Sequence, residues 1–233
     1  LRRTAELEEA EALYERAYRG LRQTLGDADP STLRVGKTLA DVLRDRGKWP
    51  RAEYVMREIA EVYRRLYGDG HEETLAALEH VGRSMSMQRK YAEAETVLRE
   101  VVDGRRRALG SSDPAVLEST RRLIGVIRKQ DRLEEAERLA AELVEQAAAM
   151  LDDDDWRLAR FHEEYGLVLD RMGKYDLAEK SFVAAYERYT QTRGTNDRRT
   201  VAAIRRLIEF YESREKPELA AQFNTLIGGV DDP

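Results

Sequence analysis

Few residues in this sequence are of the types that carry out chemistry, and their spacing does not assemble a reactive site. The three histidines, His71, His80 and His162, lie far apart, and none forms a helical pair with another that would bind a metal ion. Cysteine is absent, which excludes thiolate zinc sites and thiol catalysis. No nucleophile stands beside a base, and the glycines stand singly rather than in a phosphate-binding loop. We therefore expect no enzymatic activity, no cofactor and no metal.

One dense acidic run, Asp152 to Asp155, has side chains that could bind a hard cation. The run lacks the alternate spacing and the distal glutamate of a calcium loop. Acidic residues before Trp156 also suit the N-terminus of a helix, where carboxylates oppose the helix dipole. We interpret the run as a helix start, and we interpret His71 and His162 as structural residues.

The composition favours long, solvated helices as the elements that would position any site. Charged residues make up 36% of the chain and aromatic residues 7%, which favours helices over a sheet. The net charge of −5 gives no general attraction to nucleic acid or to an anionic membrane. No stretch of about 18 apolar residues and no leader peptide is visible. We expect a cytoplasmic protein that does not associate with membranes.

The sequence repeats itself every 42 residues. The pair Ala-Glu occurs at residues 10–11, 52–53, 94–95, 136–137 and 178–179. A glycine column falls at Gly26, Gly68, Gly110 and Gly194, with Asp152 at the one missing step. A third column, three residues before each alanine, is Trp49, Tyr91, Leu133 and Tyr175. Because three columns share one period, the register extends from end to end.

Each unit is predicted to contain two helices, the first near residues 31–46 and the second near 50–67, repeated at the same period. Apolar residues in both segments recur with the periodicity of an amphipathic helix. The glycine column predicts left-handed C-caps of the second helices. Asp29-Pro30 and Asp113-Pro114 predict helix starts, because each supplies a capping side chain and a proline in the first turn.

The columns together resemble a known repeat family. A small residue in the first helix, the Gly-Lys-aromatic turn and the Ala-Glu pair resemble the tetratricopeptide repeat. The Leu-Gly-x-x-x-Pro linker and the 42-residue unit are similar to those of the kinesin light chain subclass. The resemblance covers nearly the whole chain. It implies an all-α fold, an α-α superhelix that forms a right-handed solenoid of antiparallel helix pairs, and a function in binding another protein.

The register divides the chain into a half repeat and five full repeats within one array of eleven helices. The half repeat covers residues 1–27, and the repeats cover about 28–69, 70–111, 112–153, 154–195 and 196–228. The last repeat places Asn224 at an apolar position, and we interpret it as a terminal cap. Leu1 already lies within a predicted helix, so we expect that further sequence precedes it and that further domains of the same chain at the N-terminus are candidate partners.

The residues beside the apolar stripe of each first helix are our candidates for a partner-binding groove, because first helices line the concave face of such an array. These candidates are Lys37, Thr38, Glu79, His80, Arg121, Arg122, Glu163, Glu164, Arg205 and Arg206. Their charges alternate between basic and acidic from repeat to repeat, which favours a charge-patterned partner. The same positions could equally be solvated residues that form salt bridges between neighbouring repeats.

The leading hypothesis is a protein-interaction scaffold whose groove binds a protein or peptide segment. An alternative is a sensor or regulatory arm of a multidomain signalling protein that hydrolyses nucleotides. A third hypothesis is RNA binding through Arg121, Arg122, Arg205 and Arg206. The acidic net charge and the intervening Glu163-Glu164 pair argue against nucleic acid as the partner.

Overall fold

The computed structural model describes residues 2–152 and 154–227, and these residues form eleven α-helices and no strand. The chain divides into two compact units, Leu1–Gln130 and Asp131–Pro233. The helices of the N-terminal unit are α1 (Arg2–Leu25), α2 (Pro30–Asp45), α3 (Trp49–Tyr67), α4 (Glu72–Met87), α5 (Tyr91–Leu109) and α6 (Pro114–Lys129). Those of the C-terminal unit are α7 (Leu133–Met150), α8 (Arg157–Arg171), α9 (Tyr175–Arg193), α10 (Arg198–Glu212) and α11 (Pro217–Ile227). The predicted all-α class and the number of helices are confirmed.

The predicted caps explain where the helices begin. The Asp29 carboxylate accepts a hydrogen bond from the backbone N–H of Ser31 at 2.8 Å, and Asp113 does the same for Ala115 at 2.8 Å. His71 also caps a helix, since its Nδ1 accepts from the backbone N–H of Glu73 at 3.2 Å. Each cap satisfies a backbone donor that the helix itself cannot bond.

The acidic run before α8 also acts as a helix start. The Asp155 carboxylate accepts hydrogen bonds from the backbone N–H of Arg157 at 2.8 Å and from its guanidinium. The hydrogen bond from the Arg157 side chain is the main reason that the pKa of Asp155 is lowered. Asp153, within the same run, lies outside the described residues. The helix-start interpretation therefore holds for Asp155.

Glycine closes the second helices with positive φ, but the predicted left-handed helical conformation is wrong. Gly68, Gly110 and Gly194 have φ between 84° and 90° and ψ between 160° and 172°. This conformation is extended rather than helical, and it is accessible essentially to glycine alone. At the step where the column has Asp152, α7 ends instead at Leu151, whose φ of −100° any residue can adopt.

The turn inside each repeat requires a second residue with positive φ, and glycine fills this position only twice. Gly47 and Gly173 have φ of 68° and 73°. The equivalent positions are Arg89, Asp131 and Glu215, with φ of 63°, 63° and 56°. A left-handed conformation costs a residue with a Cβ atom of the order of 1 kcal/mol or more relative to glycine. Three of the five turns are thus locally strained.

Relieving this strain should stabilise the protein. We expect Arg89→Gly to raise the free energy of unfolding by about 0.5–1 kcal/mol, because glycine adopts positive φ without steric cost and Arg89 is exposed. Chemical denaturation monitored by circular dichroism measures the change. As a control, Arg107→Gly on the exposed surface of α5 should lower stability by about 0.5–1 kcal/mol. A loss of stability in Arg89→Gly would contradict the assignment of strain.

The two helices of a repeat pack closely because small residues lie at their contact. A Cβ atom added to Gly82 on α4 would lie 2.8 Å from the Leu98 side chain on α5. A Cβ atom added to Gly166 on α8 would lie 2.7 Å from the ring of Phe182 on α9. These distances are too short for real contacts, so glycine is required for the observed helix separation.

Neighbouring repeats are joined by the glutamate of the Ala-Glu pair. Glu11 lies almost fully buried in α1 and accepts hydrogen bonds from Arg46 and, at 2.7 Å, from Lys48 in the turn of the next repeat. Burial alone would raise the pKa of Glu11, but the hydrogen bonds from Lys48 and Arg46 outweigh it and lower the pKa.

The same contact recurs along both units at a separation of 35 to 37 residues. Glu53 accepts from Gln88 at 2.7 Å and from Lys90 at 3.1 Å. In the C-terminal unit, Glu137 accepts from Lys174 at 2.6 Å. We call these contacts the glutamate ties, and they explain why both the glutamate and the turn lysine follow the repeat.

Candidate functional site

The six candidate groove residues of the N-terminal unit lie on α2, α4 and α6, and side-chain contacts join these helices. Lys37 on α2 pairs with Glu73 on α4 at 3.0 Å, and Glu79 on α4 contacts Arg122 on α6. We call the surface that carries these six residues the first-helix face. The sequence thus placed Lys37, Thr38, Glu79, His80, Arg121 and Arg122 on first helices, and the structure connects these helices through ion pairs.

The charges at the α6 end of this face are bonded to one another. Arg121 pairs with Glu118 at 2.9 Å, and Arg122 contacts both Glu118, at 3.2 Å, and Glu79. Glu79 also accepts from Arg105, a residue of α5 that is only 6% exposed. Because these carboxylates and guanidiniums satisfy each other, they offer a ligand less charge than their sequence suggests.

Arg105 was missed by the sequence analysis, although it organises this network. Its guanidinium donates to Glu72 at 2.6 Å, to the Ser119 hydroxyl at 2.6 Å and to Glu79. The equivalent residues of the other second helices are Leu21, Tyr63, Ala147 and Tyr189. Arg105 is therefore the one charged residue among these five equivalent positions, and this difference from the other repeats could have identified it from the sequence.

His80 is held in its neutral form. Its Nδ1 lies 2.7 Å from the Arg44 guanidinium, which must donate this hydrogen bond, so the ring nitrogen must be unprotonated. Burial, and then the charge of Arg44, lowers the pKa of His80. Asp41 and Glu79 favour the charged ring, whereas Arg122 opposes it. Burial also lowers the pKa of His162 in the C-terminal unit, and the charge of Arg188 adds to this effect.

The neutral histidines predict a loss of stability in mild acid. The folded-state pKa of His80 lies below the value of about 6.5 in the unfolded chain. Its contribution to stability is therefore complete above pH 6.5 and is lost as the pH falls. Within the window where only the unfolded chain is protonated, each such histidine changes the unfolding free energy by about 1.4 kcal/mol per pH unit.

Urea denaturation at pH 7.0 and pH 5.5 measures this dependence. We expect His80→Gln to reduce the difference in unfolding free energy between the two pH values. Gln191→Asn serves as the control, because it changes an exposed residue of α9 that does not titrate, and we expect it to leave the difference unchanged. An identical pH dependence in the original protein and in His80→Gln would contradict the role of His80.

A pocket of about 420 Å³ opens on the first-helix face between α2, the end of α3 and the start of α4. Its lining consists of Ala28, Pro30, Leu33, Arg34, Lys37, Thr38, Asp41, Tyr63, Tyr67 and Glu73. Two of the candidate residues, Lys37 and Thr38, are among them. We call this cavity the α2–α4 pocket.

The lining of the pocket combines one ion pair with two exposed side chains that have no such partner among the described residues. The Lys37 ammonium lies 5.7 Å from the centroid of the buried Tyr63 ring and pairs with Glu73. Burial would lower the pKa of Lys37, but the hydrogen bond to Glu73 and the interactions with Tyr63 and the Glu73 charge together raise the pKa. Within the described part of the chain, the exposed Arg34 guanidinium makes no hydrogen bond or ion pair, and Tyr67 is 54% exposed. An arginine beside an aromatic ring suits recognition of a peptide.

The four candidates of the C-terminal unit lie on α8 and α10. Glu164 is only 7% exposed and Glu163 is half-buried. Arg205 is exposed, and Arg206 lies 3.5 Å from Glu209 in a surface ion pair. Glu163 and Glu164 are therefore less available to a partner than their positions on a first helix suggested.

The described residues contain no group of three or more histidine, aspartate or glutamate side chains arranged to hold a metal ion. Among the same residues, no helix is both long enough and apolar enough to span a membrane.

Comparison with sequence families identifies the repeat. One family model of the tetratricopeptide repeat matches residues 36–107, and a second matches residues 1–31. No protein with a curated description is similar enough in sequence to be counted as a relative.

Solved structures extend the similarity to the C-terminal unit. BtubC (BKLC) from P. vanneervenii is 15% identical, with 97% of this chain and 94% of that chain covered and a TM-score of 0.73. A kinesin light chain-type protein of Podospora anserina with TPR-like repeats is 20% identical, with 85% and 96% covered and a TM-score of 0.70. A Rap protein in complex with the Competence and Sporulation Factor is 12% identical, with 95% and 65% covered and a TM-score of 0.67. Residues 1–31 and 36–107 therefore match tetratricopeptide repeats, and the chain has the repeat fold of the kinesin light chain-like structures.

Proposed function

We propose that this domain is a protein-interaction scaffold that binds a peptide segment of a partner at the first-helix face. The observation that carries the proposal is the α2–α4 pocket, where an arginine without a partner in the described residues stands beside an exposed tyrosine. Folded proteins seldom leave such a combination in a concavity, and it is typical of sites that anchor a peptide side chain. The Rap structure, solved with a bound factor, supports a binding role for the fold.

The pocket also indicates how a peptide would be held. Leu33 and Pro30 provide apolar walls, whereas Arg34, Lys37 and Asp41 provide polar contacts. Because Lys37 already pairs with Glu73, Arg34 is the cation most available to a carboxylate of the ligand. The charge pairs around Arg122 position the helices rather than meeting the ligand directly.

Selection from a random peptide library followed by affinity measurement tests this proposal. We expect Arg34→Glu to weaken the selected peptides tenfold or more, which corresponds to at least about 1.4 kcal/mol. Thr38→Trp should weaken them similarly by filling the pocket. The control is Arg65→Glu, an equal charge reversal at an exposed position of α3 outside the pocket, which should change the affinity less than twofold. Equal effects of all three variants would place binding elsewhere.

A further inference from the structure

Three arginine side chains of the C-terminal unit gather around the indole ring of Trp156. The guanidinium carbon of Arg199 lies 4.3 Å from the ring centroid, that of Arg193 lies 5.4 Å away, and that of Arg160 lies 5.6 Å away. They come from three helices, α10, α9 and α8 respectively. The aromatic face attracts the planar cations and holds them in place. We call these four residues the Trp156 cluster.

Arg199 is the member whose donors are unused. Among the residues that the structure describes, its side chain stacks on Trp156 and makes no hydrogen bond or ion pair. Arg193, in contrast, pairs with Asp197 at 3.0 Å, and Asp197 also caps α10 through the backbone N–H of Arg199 at 2.8 Å. The cluster therefore holds a guanidinium with five N–H donors that have no acceptor among residues 2–152 and 154–227.

The charged residues around the Trp156 cluster favour a compact anion over a long polyanion. Residues 188–206 contain six arginines and one aspartate, so this segment carries a net positive charge that favours an anion. Residues 131–233 as a whole contain 23 acidic and 15 basic residues, and the exposed Asp152 and Asp154 precede Trp156 closely in the chain. A long polyanion such as RNA would meet these carboxylates, whereas a compact anion would not.

We propose that the Trp156 cluster binds a phosphorylated side chain of a partner peptide. A phosphate group carries a charge of about −1.5 to −2 and three acceptor oxygens, so it can pair bidentately with Arg199 while reaching the charges of Arg160 and Arg193. A carboxylate has one charge and two oxygens, and Arg199 alone would satisfy it. The proposal rests on the proposed function in that the partner is a protein segment, but the site is separate from the α2–α4 pocket.

Trp156 can report occupancy of its own site. The chain contains two tryptophans, and Trp49→Tyr leaves Trp156 as the only one. Tyrosine is tolerated there, because Tyr91 and Tyr175 occupy the equivalent positions. In this background, Trp156 fluorescence is titrated with random peptides that carry a central phosphoserine, and with matched libraries that carry serine or aspartate. Single-stranded poly-uridine RNA is titrated in parallel, and inorganic phosphate serves as the competitor.

We expect the phosphoserine library to change Trp156 fluorescence and to bind at least tenfold more tightly than the serine and aspartate libraries. Millimolar inorganic phosphate should displace it. Arg199→Gln should weaken phosphopeptide binding at least tenfold. Arg198→Gln, which removes the same charge from an exposed neighbour outside the cluster, should weaken it less than twofold. Circular dichroism should show the same helix content in both variants.

Several results would overturn the proposal. Equal affinity for the aspartate library would indicate a carboxylate site, and tighter binding of RNA would indicate a nucleic-acid surface. Equal effects of Arg199→Gln and Arg198→Gln, or no displacement by phosphate, would also refute it. If peptides bind equally well with and without phosphate and Arg34→Glu abolishes their binding, this site is refuted. The proposed function then still stands. Phosphopeptides that bind normally in Arg34→Glu but are lost in Arg199→Gln would support this site as one that is separate from the pocket.

Discussion

Replacing Arg105 with leucine should lower the free energy of unfolding by about 3 kcal/mol. The substitution removes the cation that two carboxylates, Glu72 and Glu79, and the Ser119 hydroxyl share at a position only 6% exposed. Breaking a buried ion pair by removing one partner typically costs about 3–5 kcal/mol. We expect the lower end of this range, because Glu79 keeps its contact with Arg122 and the Glu72 side chain is 54% exposed.

Urea denaturation of the full chain measures this effect, with Arg106→Leu as the control. The Arg106 side chain is 50% exposed and lies 3.7 Å from Asp103, so its loss should change stability by less than about 0.5 kcal/mol. If both substitutions have equal effects, the network contributes no more than a surface ion pair.

Enlarging the alanine of the Ala-Glu pair should destabilise the repeat that contains it. Ala94 and Ala178 have 0% exposure, and the Ala94 carbonyl oxygen lies 3.5 Å from the point where a Cβ atom of Gly82 would stand. The two helices therefore leave no space for a larger side chain. We expect Ala94→Leu and Ala178→Leu each to lower the unfolding free energy by roughly 1–3 kcal/mol.

The matched control for these variants is Ala141→Leu, a half-buried position that lies outside the repeating column. It should cost less than about 0.5 kcal/mol. Thermal melting of the three variants provides the comparison. Similar losses at all three positions would mean that the alanine column does not mark the contact between the helices of a repeat.

The fold could be predicted from the sequence because its determinants are local and recur. Asp29 and Asp113 are helix caps whose geometry depends on a few adjacent residues. The glycines of the linker, such as Gly68, adopt a backbone conformation that other residues rarely adopt. Each of these signals appears several times at one period, so a weak indication in one repeat is strengthened by the next.

Contacts between repeats were harder to predict, because their partners are distant in sequence. The Glu53 column was recognised, but its hydrogen bonds to Gln88 and Lys90 were not. The positive φ at Arg89 was missed as well, since arginine gives no sign of a left-handed conformation. Comparing residues 35 to 37 positions apart would have suggested the glutamate ties.

For the candidate site, too, the positions of residues on helices could be predicted, whereas their side-chain contacts could not. Stepping by 42 residues placed Lys37, Thr38 and Arg122 on the first-helix face, but it could not show that Arg122 is bonded to Glu79 and Glu118. Arg34, which the sequence analysis did not select, is the more available cation. Whether a charged residue meets a ligand depends on the side chains around it, and these come from other helices.

The glutamate ties have a consequence for how the chain can change in length. Each tie joins a glutamate to residues at a fixed distance along the chain, as Glu11 is joined to Lys48 and Glu95 to Gln130. Removing residues 49–90 would delete one full period and leave both of these pairs intact. A deletion of another length would separate a buried carboxylate from its cations. Loss or duplication of whole periods is therefore the mode of length variation that these contacts permit.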